Sequence, residues 1–131
     1  MADDAGVCVY VVDDDASVRD SLKMLLLSAG MKAITFESAE AFLTSDIHEH
    51  NTCLVVDFKM PGIGGLAFQQ QLNEKGVRTP VIFLTAFDSS EEREQAFRSG
   101  AAGFFRKPVD DQALIDSIHW ALSKGEKSTS E

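Results

Sequence analysis

The stretch VCVYVVDDDAS, residues 7–17, joins an almost continuously apolar run to three consecutive carboxylates. An apolar run without polar alternation is typical of a strand that is covered on both faces, as in a parallel sheet. Asp13, Asp14 and Asp15 repel one another, at about 4 kcal/mol for a pair roughly 4 Å apart at an effective dielectric constant of about 20. The stretch therefore predicts a buried parallel strand. It also predicts that a positively charged group near the end of this strand offsets the repulsion among the carboxylates.

Four further β-rich runs follow, and helical patterns separate them. The predicted strands are 7–12, 32–36, 52–56, 80–84 and 102–106. The predicted helices are about 18–29, 38–45, 65–75, 89–99 and 110–124, and most are followed by a glycine. This alternation predicts an α/β fold, a doubly wound five-stranded parallel sheet in the order 2-1-3-4-5 with helices on both faces, as in flavodoxin-like proteins.

Length and composition predict one domain with its own core, since the chain has 131 residues and is 44% hydrophobic. We expect this domain to cover 1–125, and the polar segment 126–131 to be a disordered tail or the stub of a linker. The net charge of −9 argues against a nucleic-acid surface on this chain. Without a signal peptide or an apolar run of about 18 residues, a cytoplasmic protein with no membrane association is expected. Cys8 and Cys53 lie in apolar runs and are expected to be buried.

Polar residues follow four of the predicted strands. They are Asp13, Asp14 and Asp15 after the first strand, Asp57 after the third, Thr85 after the fourth and Lys107 after the fifth. In doubly wound sheets these strand ends share one edge, and ligands bind there. Asp15 is expected to serve only as the N-cap of the first helix, and Ser38 is expected to cap the second. His48 and His50 do not match a zinc signature and are expected in a loop.

The residues at this edge have a common chemical logic. Carboxylates from two strand ends form an oxygen-rich anionic pocket, which Mg²⁺ prefers, with Mn²⁺ as the alternative. A lysine and a hydroxyl beside such a cation are typical of phosphoryl transfer. Asp57 stands alone at its strand end, before the glycine-rich stretch MPGIGG at 60–65. Because a carboxylate can be the nucleophile, this position predicts an aspartyl-phosphate at Asp57.

Four stretches resemble the receiver domains of two-component response regulators, over about residues 7–124. They are VVDDDASVRDSL at 11–22, LVVDFKMPGIGGL at 54–66, VIFLTAF at 81–87 and AAGFFRKP at 101–108. VRDSL at 18–22 and ESAEAFL at 37–43 are most similar to the receivers of nitrogen-fixation-type transcriptional regulators. The resemblance implies a phosphorylation-dependent switch that catalyses its own phosphotransfer and slow dephosphorylation, and not an enzyme that turns over external substrates.

The resemblance also implies roles for individual residues. Asp57 would accept the phosphoryl group from a histidine kinase, beside a magnesium ion held directly by Asp14 and partly through water by Asp13. Asp57 itself and the backbone carbonyl of Lys59 would complete the protein ligands. Lys107 would pair with the phosphoryl oxygens, and Thr85 would hydrogen-bond the phosphoryl group. Phe104 would be the aromatic switch that turns inward when Thr85 moves. The Lys107–Pro108 bond would be cis.

The output surface is predicted from the fourth helix, which is nearly all polar and has Ala96 and Phe97 as its main apolar anchors. Weakly anchored elements shift at low cost. We therefore expect the face of helix four, strand five and helix five to act on an output domain or a protein partner. Phosphorylation-dependent homodimerisation is one form in which we expect this output to act.

Three other protein classes share parts of this pattern. A haloacid-dehalogenase-like phosphatase would use Asp13 as the nucleophile and leave Asp57 without a role. A flavodoxin-like cofactor binder needs a phosphate-binding loop after the first strand, where this chain is acidic. A receiver-shaped scaffold that is never phosphorylated would lack Asp57, Thr85 or Lys107, and all three are present.

Overall fold

The computed structural model describes residues 6–47, 50–87 and 89–129. Five parallel strands form one sheet in the order β2-β1-β3-β4-β5, which confirms the predicted topology. Their bounds are Cys8–Val12 for β1, Lys32–Phe36 for β2, Thr52–Asp57 for β3, Val81–Thr85 for β4 and Gly103–Arg106 for β5. Every residue of β1, β3 and β4 is buried, as their continuous apolar runs predicted.

Five helices alternate with the strands. Their bounds are Ala16–Ser28 for α1, Ala39–Leu43 for α2, Gly65–Glu74 for α3, Ser90–Arg98 for α4 and Asp111–Thr129 for α5. Asp15 is the N-cap of α1, and its side chain accepts hydrogen bonds from the backbone N–H groups of Ser17 and Val18. Ser38 caps α2 in the same way. Both caps confirm predictions, since short polar side chains satisfy backbone donors that the helix leaves unpaired.

The sheet separates two apolar cores, which confirms the doubly wound arrangement. On one face, side chains of the central strands pack with residues of α2, α3 and α4, among them Phe42, Phe68 and Ala96. On the other face the strands pack with α1 and α5, through residues such as Leu26 and Ile118. Cys8 and Cys53 are buried on opposite faces of the sheet, as predicted for small hydrophobic residues. Because both faces are covered, the sheet exposes its carboxyl edge as the place for a site.

The helix α4 has little apolar anchorage. Ala96 is its only fully buried residue, whereas Phe97 is 45% exposed. The prediction that Phe97 anchors this helix was therefore wrong, because the residue lies on the side of α4 that turns away from the core. The weak attachment expected for α4 is more pronounced than the sequence indicated.

The helix α5 continues to Thr129, past Lys124, where its end was predicted. Gly125 does not end the helix, and the predicted domain boundary at residue 125 stays a prediction. Ser130 and Glu131 lie outside the described residues, as does His48. Within the described ranges, no helix combines the length and the apolarity needed to cross a membrane.

Candidate functional site

Three carboxylates meet at the carboxyl edge of the sheet. Asp13 and Asp14 follow β1, Asp57 ends β3, and the two strands are neighbours. One oxygen of each carboxylate lies within 4.8 Å of the others. Asp13 and Asp57 are buried, whereas Asp14 is exposed. The site is therefore an acidic pocket that is closed below by the sheet and open to solvent on the side of Asp14.

Lys107 lies beside two of these acids. Its Nζ is 2.9 Å from Asp13 Oδ2 and 3.6 Å from Asp57 Oδ2. Burial alone would lower the pKa of Lys107, but the hydrogen bond and the charge of Asp13, together with Asp57, outweigh it and raise the pKa. Lys107 is therefore charged at neutral pH. The Lys107–Pro108 bond is cis, as predicted.

Asp57 is electrostatically disfavoured as a carboxylate. Burial and then the negative charge of Asp13 raise its pKa from 3.8 to about 6, and a hydrogen bond to the Asp14 side chain acts in the same direction. Lys107 and the backbone N–H of Lys59, which lies 3.3 Å from Asp57 Oδ1, act in the opposite direction without cancelling the shift. A pocket that disfavours its own ionised form gains most from an added cation.

The donor set fits a hard divalent cation. The three carboxylates supply oxygen ligands from two strand ends, with the open side at Asp14 available to water ligands, as Mg²⁺ requires. Among the described residues these acids form the one group of three or more candidate metal ligands, and His50 lies exposed elsewhere. A cation in this position would relieve the repulsion that raises the Asp57 pKa.

Asp13 is held by contacts that leave it little freedom. Its Oδ1 accepts the Asp15 backbone N–H at 2.9 Å, and its Oδ2 accepts from Lys107. Arg19 donates to the Asp13 backbone carbonyl at 2.7 Å. Sequence reasoning did not single out Arg19, since an arginine in the first turns of an amphipathic helix carries no distinguishing signal. Both oxygens of Asp13 are held at 2.9 Å, more closely than the Asp57 oxygens at 3.3 and 3.6 Å, which favours Asp57 over Asp13 as a nucleophile.

Thr85 is fully buried at the end of β4, and its hydroxyl contacts the backbone of the segment that follows this strand. The hydroxyl donates to the Phe87 carbonyl at 2.9 Å and lies 3.3 Å from the Phe87 backbone nitrogen. In this arrangement the hydroxyl proton is committed to the β4–α4 loop. A group that appeared on Asp57 would have to compete with Phe87 for it.

Phe104 is buried, with 2% of its surface exposed. Its ring packs edge-on against Phe58 at 5.2 Å, and the Arg93 guanidinium lies 5.2 Å from the ring centroid on the α4 side. The ring is thus already in an inward position while the Thr85 hydroxyl is bonded to Phe87. Arg93, which the sequence did not single out, covers the ring from α4.

A tight loop connects Asp57 to α3. The backbone N–H of Gly65 donates to the Phe58 carbonyl at 2.8 Å. A β-carbon on Gly65 would lie 2.9 Å from Phe58 backbone atoms and from the Phe83 ring. This position therefore requires glycine, and the close approach holds the loop after Asp57 against the sheet.

Comparisons with known proteins point to one family. The sequence profile described as the response regulator receiver domain matches residues 9–119. The transcriptional regulatory protein TdiR of Thauera aromatica is 45% identical over 115 residues, 88% of this chain and 51% of that protein. The transcriptional regulatory protein FixJ of Azorhizobium caulinodans is 39% identical over 116 residues, 88% of this chain and 55% of that protein.

The fold agrees with these matches. The crystal structure of FixJ-N superposes with a TM-score of 0.82 at 32% identity, and the match covers 94% of this chain and 96% of that one. The chain spans about half the length of the curated relatives named above.

Proposed function

This chain belongs to the family of response regulator receiver domains, and we propose that it works through phosphorylation of Asp57. Members of the family are signalling switches of two-component systems and do not turn over an external substrate. Their family implies a histidine kinase as the phosphoryl donor and an output domain as the target. The two relatives named above are transcriptional regulators, so control of transcription is the output that we propose for the whole protein.

One observation carries the proposal for Asp57. Its carboxylate lies with those of Asp13 and Asp14 in a cluster whose oxygens are within 4.8 Å of one another, beside the ammonium of Lys107. With a pKa of about 6, Asp57 is mostly ionised at neutral pH and can act as a nucleophile. The contacts of Asp57 to the Lys59 nitrogen at 3.3 Å and to Lys107 at 3.6 Å are longer than the two 2.9 Å contacts of Asp13, so Asp57 is the less tightly held of the two buried acids.

Receiver domains generally bind Mg²⁺ at an acidic pocket, and in this chain we assign the ion to the carboxylates of Asp13, Asp14 and Asp57 with the carbonyl of Lys59. When bound, the ion neutralises charge on the pocket and on the incoming phosphoryl group. Mn²⁺ would be accepted by the same oxygen ligands. The raised pKa of Asp57 supports this assignment, because it shows how poorly the pocket tolerates its own charge.

In the transfer, an Asp57 carboxylate oxygen attacks the phosphorus of the phosphohistidine, and the bond from phosphorus to the histidine nitrogen breaks. The nitrogen keeps the electron pair, and the aspartate becomes an acyl phosphate. Lys107, 3.6 Å from Asp57 in the free protein, is placed to pair with the new phosphoryl oxygens. The protein thus contributes positioning and charge, which are what phosphoryl transfer mainly requires. Slow hydrolysis of the same acyl phosphate by water releases inorganic phosphate and returns Asp57 to its free form.

The signal would pass from the phosphoryl group to α4. Three strong acceptor oxygens on Asp57 would draw the Thr85 hydroxyl away from the Phe87 carbonyl, which it now contacts at 2.9 Å. That loop leads into α4, which has a single buried residue and shifts at low cost. The contact of the Arg93 guanidinium with the Phe104 ring joins α4 to β5. We therefore assign output, including phosphorylation-dependent homodimerisation, to the face of α4, β5 and α5.

The proposal includes a cytoplasmic location and a receiver boundary near residue 125. It is tested by incubating the protein with acetyl phosphate and Mg²⁺ and measuring its intact mass. One added phosphoryl group is expected, with none in Asp57→Asn or when EDTA replaces the metal. Unchanged mass in the wild type, or the same gain in the variant, would reject Asp57 as the acceptor. Hydrolysis of a phosphate ester by Asp57→Ala would instead favour the phosphatase class.

The output surface has a separate test. Hydrogen exchange is compared with and without a phosphoryl mimic, and changed protection is expected within residues 86–105. Equal protection in both states would remove α4 and β5 from the signalling route and leave the assignment of Asp57 intact.

A further inference from the structure

Lys59 brings a second cation to the edge of the acidic pocket. Its backbone nitrogen lies 3.3 Å from Asp57 Oδ1. Its Cα is therefore no more than about 5 Å from that oxygen, since the N–Cα bond adds about 1.5 Å. A lysine stem of four carbons reaches roughly 6 Å, so the Lys59 ammonium is long enough to enter the pocket and neutralise Asp57.

The ammonium of Lys59 lies elsewhere. It pairs with Glu92 Oε2 at 3.1 Å and lies 5.9 Å from the centroid of the Phe87 ring. The charge of the Lys107 side chain lowers the pKa of Asp57, whereas Lys59 lowers it through the hydrogen bond of its backbone N–H. The side chain is thus turned from the pocket toward α4, although it starts beside the phosphoacceptor.

Glu92 is positioned by the first turn of α4, and its carboxylate pairs with the Lys59 ammonium. It lies in the first turn of α4, where its backbone N–H donates to the Ser89 hydroxyl oxygen at 3.1 Å. Its side chain is 27% exposed, compared with 53% for Lys59. The other carboxylate oxygen, Oε1, is buried without a hydrogen-bond partner among the described residues. Releasing Lys59 would leave this partly buried carboxylate without its cation, which favours the observed pair over an open one.

We propose that Glu92 is a positioning residue that holds the Lys59 ammonium outside the acidic pocket, so that a divalent cation and not this lysine neutralises Asp13, Asp14 and Asp57. The inference rests on the proposed function, because it assumes that this pocket binds Mg²⁺. Without Glu92, the Lys59 ammonium loses this ion pair while the pocket carboxylates stay within reach of its stem, so the metal must then compete with the lysine for them. Glu92 thereby sets the metal affinity from α4 without touching the metal.

The test is a set of Mg²⁺ titrations by calorimetry on four variants and the wild type. Glu92→Gln is expected to weaken Mg²⁺ affinity about three- to tenfold, since a local cation now competes for the carboxylates. Glu91→Gln removes the same charge from the same helix turn at an exposed position and should stay within about twofold of the wild type. Lys59→Met keeps the backbone carbonyl and removes the competitor, so Lys59→Met and Lys59→Met/Glu92→Gln should bind Mg²⁺ equally.

A second readout needs no metal. In the metal-free wild type, nuclear Overhauser contacts are expected between the Lys59 side chain and the Phe87 ring, and Glu92→Gln should lose them. Wild-type affinity in Glu92→Gln, or an affinity in the double variant that remains as weak as in Glu92→Gln, would overturn the inference. If the wild type itself binds no Mg²⁺, the proposed function fails first and this inference falls with it. The two failures are therefore distinguished by the wild-type titration alone.

Discussion

Asp57→Asn should stabilise the metal-free protein against unfolding at neutral pH. The side chain is 91% covered by its surroundings, and burial together with the charge of Asp13 raises its pKa from 3.8 to about 6. Below pH 3.8 both the folded and the unfolded chain bind the proton, and Asp57 costs nothing. Between pH 3.8 and about 6 the unfolded chain releases the proton first, so the folded state loses stability as the pH rises. Above that range the loss is complete.

The size of the effect follows from the pKa. At about 1.4 kcal/mol for each pKa unit, ionised Asp57 costs the folded state about 3 kcal/mol at pH 7.5 and about half of that at pH 5.0. Asparagine keeps the shape of the side chain and has no charge to lose, and Lys107 retains its 2.9 Å contact with Asp13. The variant should therefore exceed the wild type by about these amounts.

The assay is urea unfolding in EDTA at pH 7.5 and pH 5.0, followed by circular dichroism. Asp20→Asn, at an exposed position of α1, is the matched control and should change stability by less than about 0.5 kcal/mol. Added Mg²⁺ should stabilise the wild type and narrow its difference from the variant, because binding to the folded state alone shifts unfolding by mass action. Equal stability of wild type and Asp57→Asn at pH 7.5 without metal would refute the electrostatic argument.

Three further predictions test separate parts of the structure. Gly65→Ala should destabilise the domain by about 2 kcal/mol in urea unfolding, because its β-carbon would lie 2.9 Å from Phe58 and Phe83 atoms. The control, Gly64→Ala, has its nearest contact at 3.9 Å and should cost less than about 1 kcal/mol. Equal costs of the two substitutions would contradict the close approach. Phe87→Ala should speed loss of the phosphoryl group from Asp57 by opening the approach of water, and unchanged or slower decay would remove this role for the ring. Cys53, whose pKa burial raises to about 12, should resist thiol reagents in the native state and react after unfolding, and fast native labelling would show that β3 opens.

The acidic pocket and its lysine were predictable from the sequence because a parallel sheet brings the ends of strands that are distant in sequence close together in space. Continuous apolar runs identified the strands, and the polar residue after each run lies at the same edge whatever the separation along the chain. Asp13 and Lys107 are in contact for this reason, although they lie on β1 and β5 connections far apart in sequence. The N-caps Asp15 and Ser38 were equally accessible, since capping is a local property.

Contacts that depend on side-chain direction were not predictable in this way. The exposure of Phe97 follows from which side of a nearly all-polar α4 meets the sheet, and its polar sequence gave no stripe to decide that. The end of α5 was placed too early because a single glycine weakens a helix without always ending it. The pair of Lys59 and Glu92 joins the loop after β3 to the first turn of α4, and the distance between them is set only when α4 docks.

The sequence by itself determined the fold, the edge at which the site forms and the identities of its acids, lysine and hydroxyl, because periodicity and strand order are properties of the chain. The tertiary structure decided the electrical state of the site. Burial beside Asp13 raises the Asp57 pKa, Phe87 holds the Thr85 hydroxyl, and Glu92 turns Lys59 away from the pocket. These depend on distances of a few ångströms between separate segments, to which charge interactions and desolvation respond steeply and which residue order does not specify.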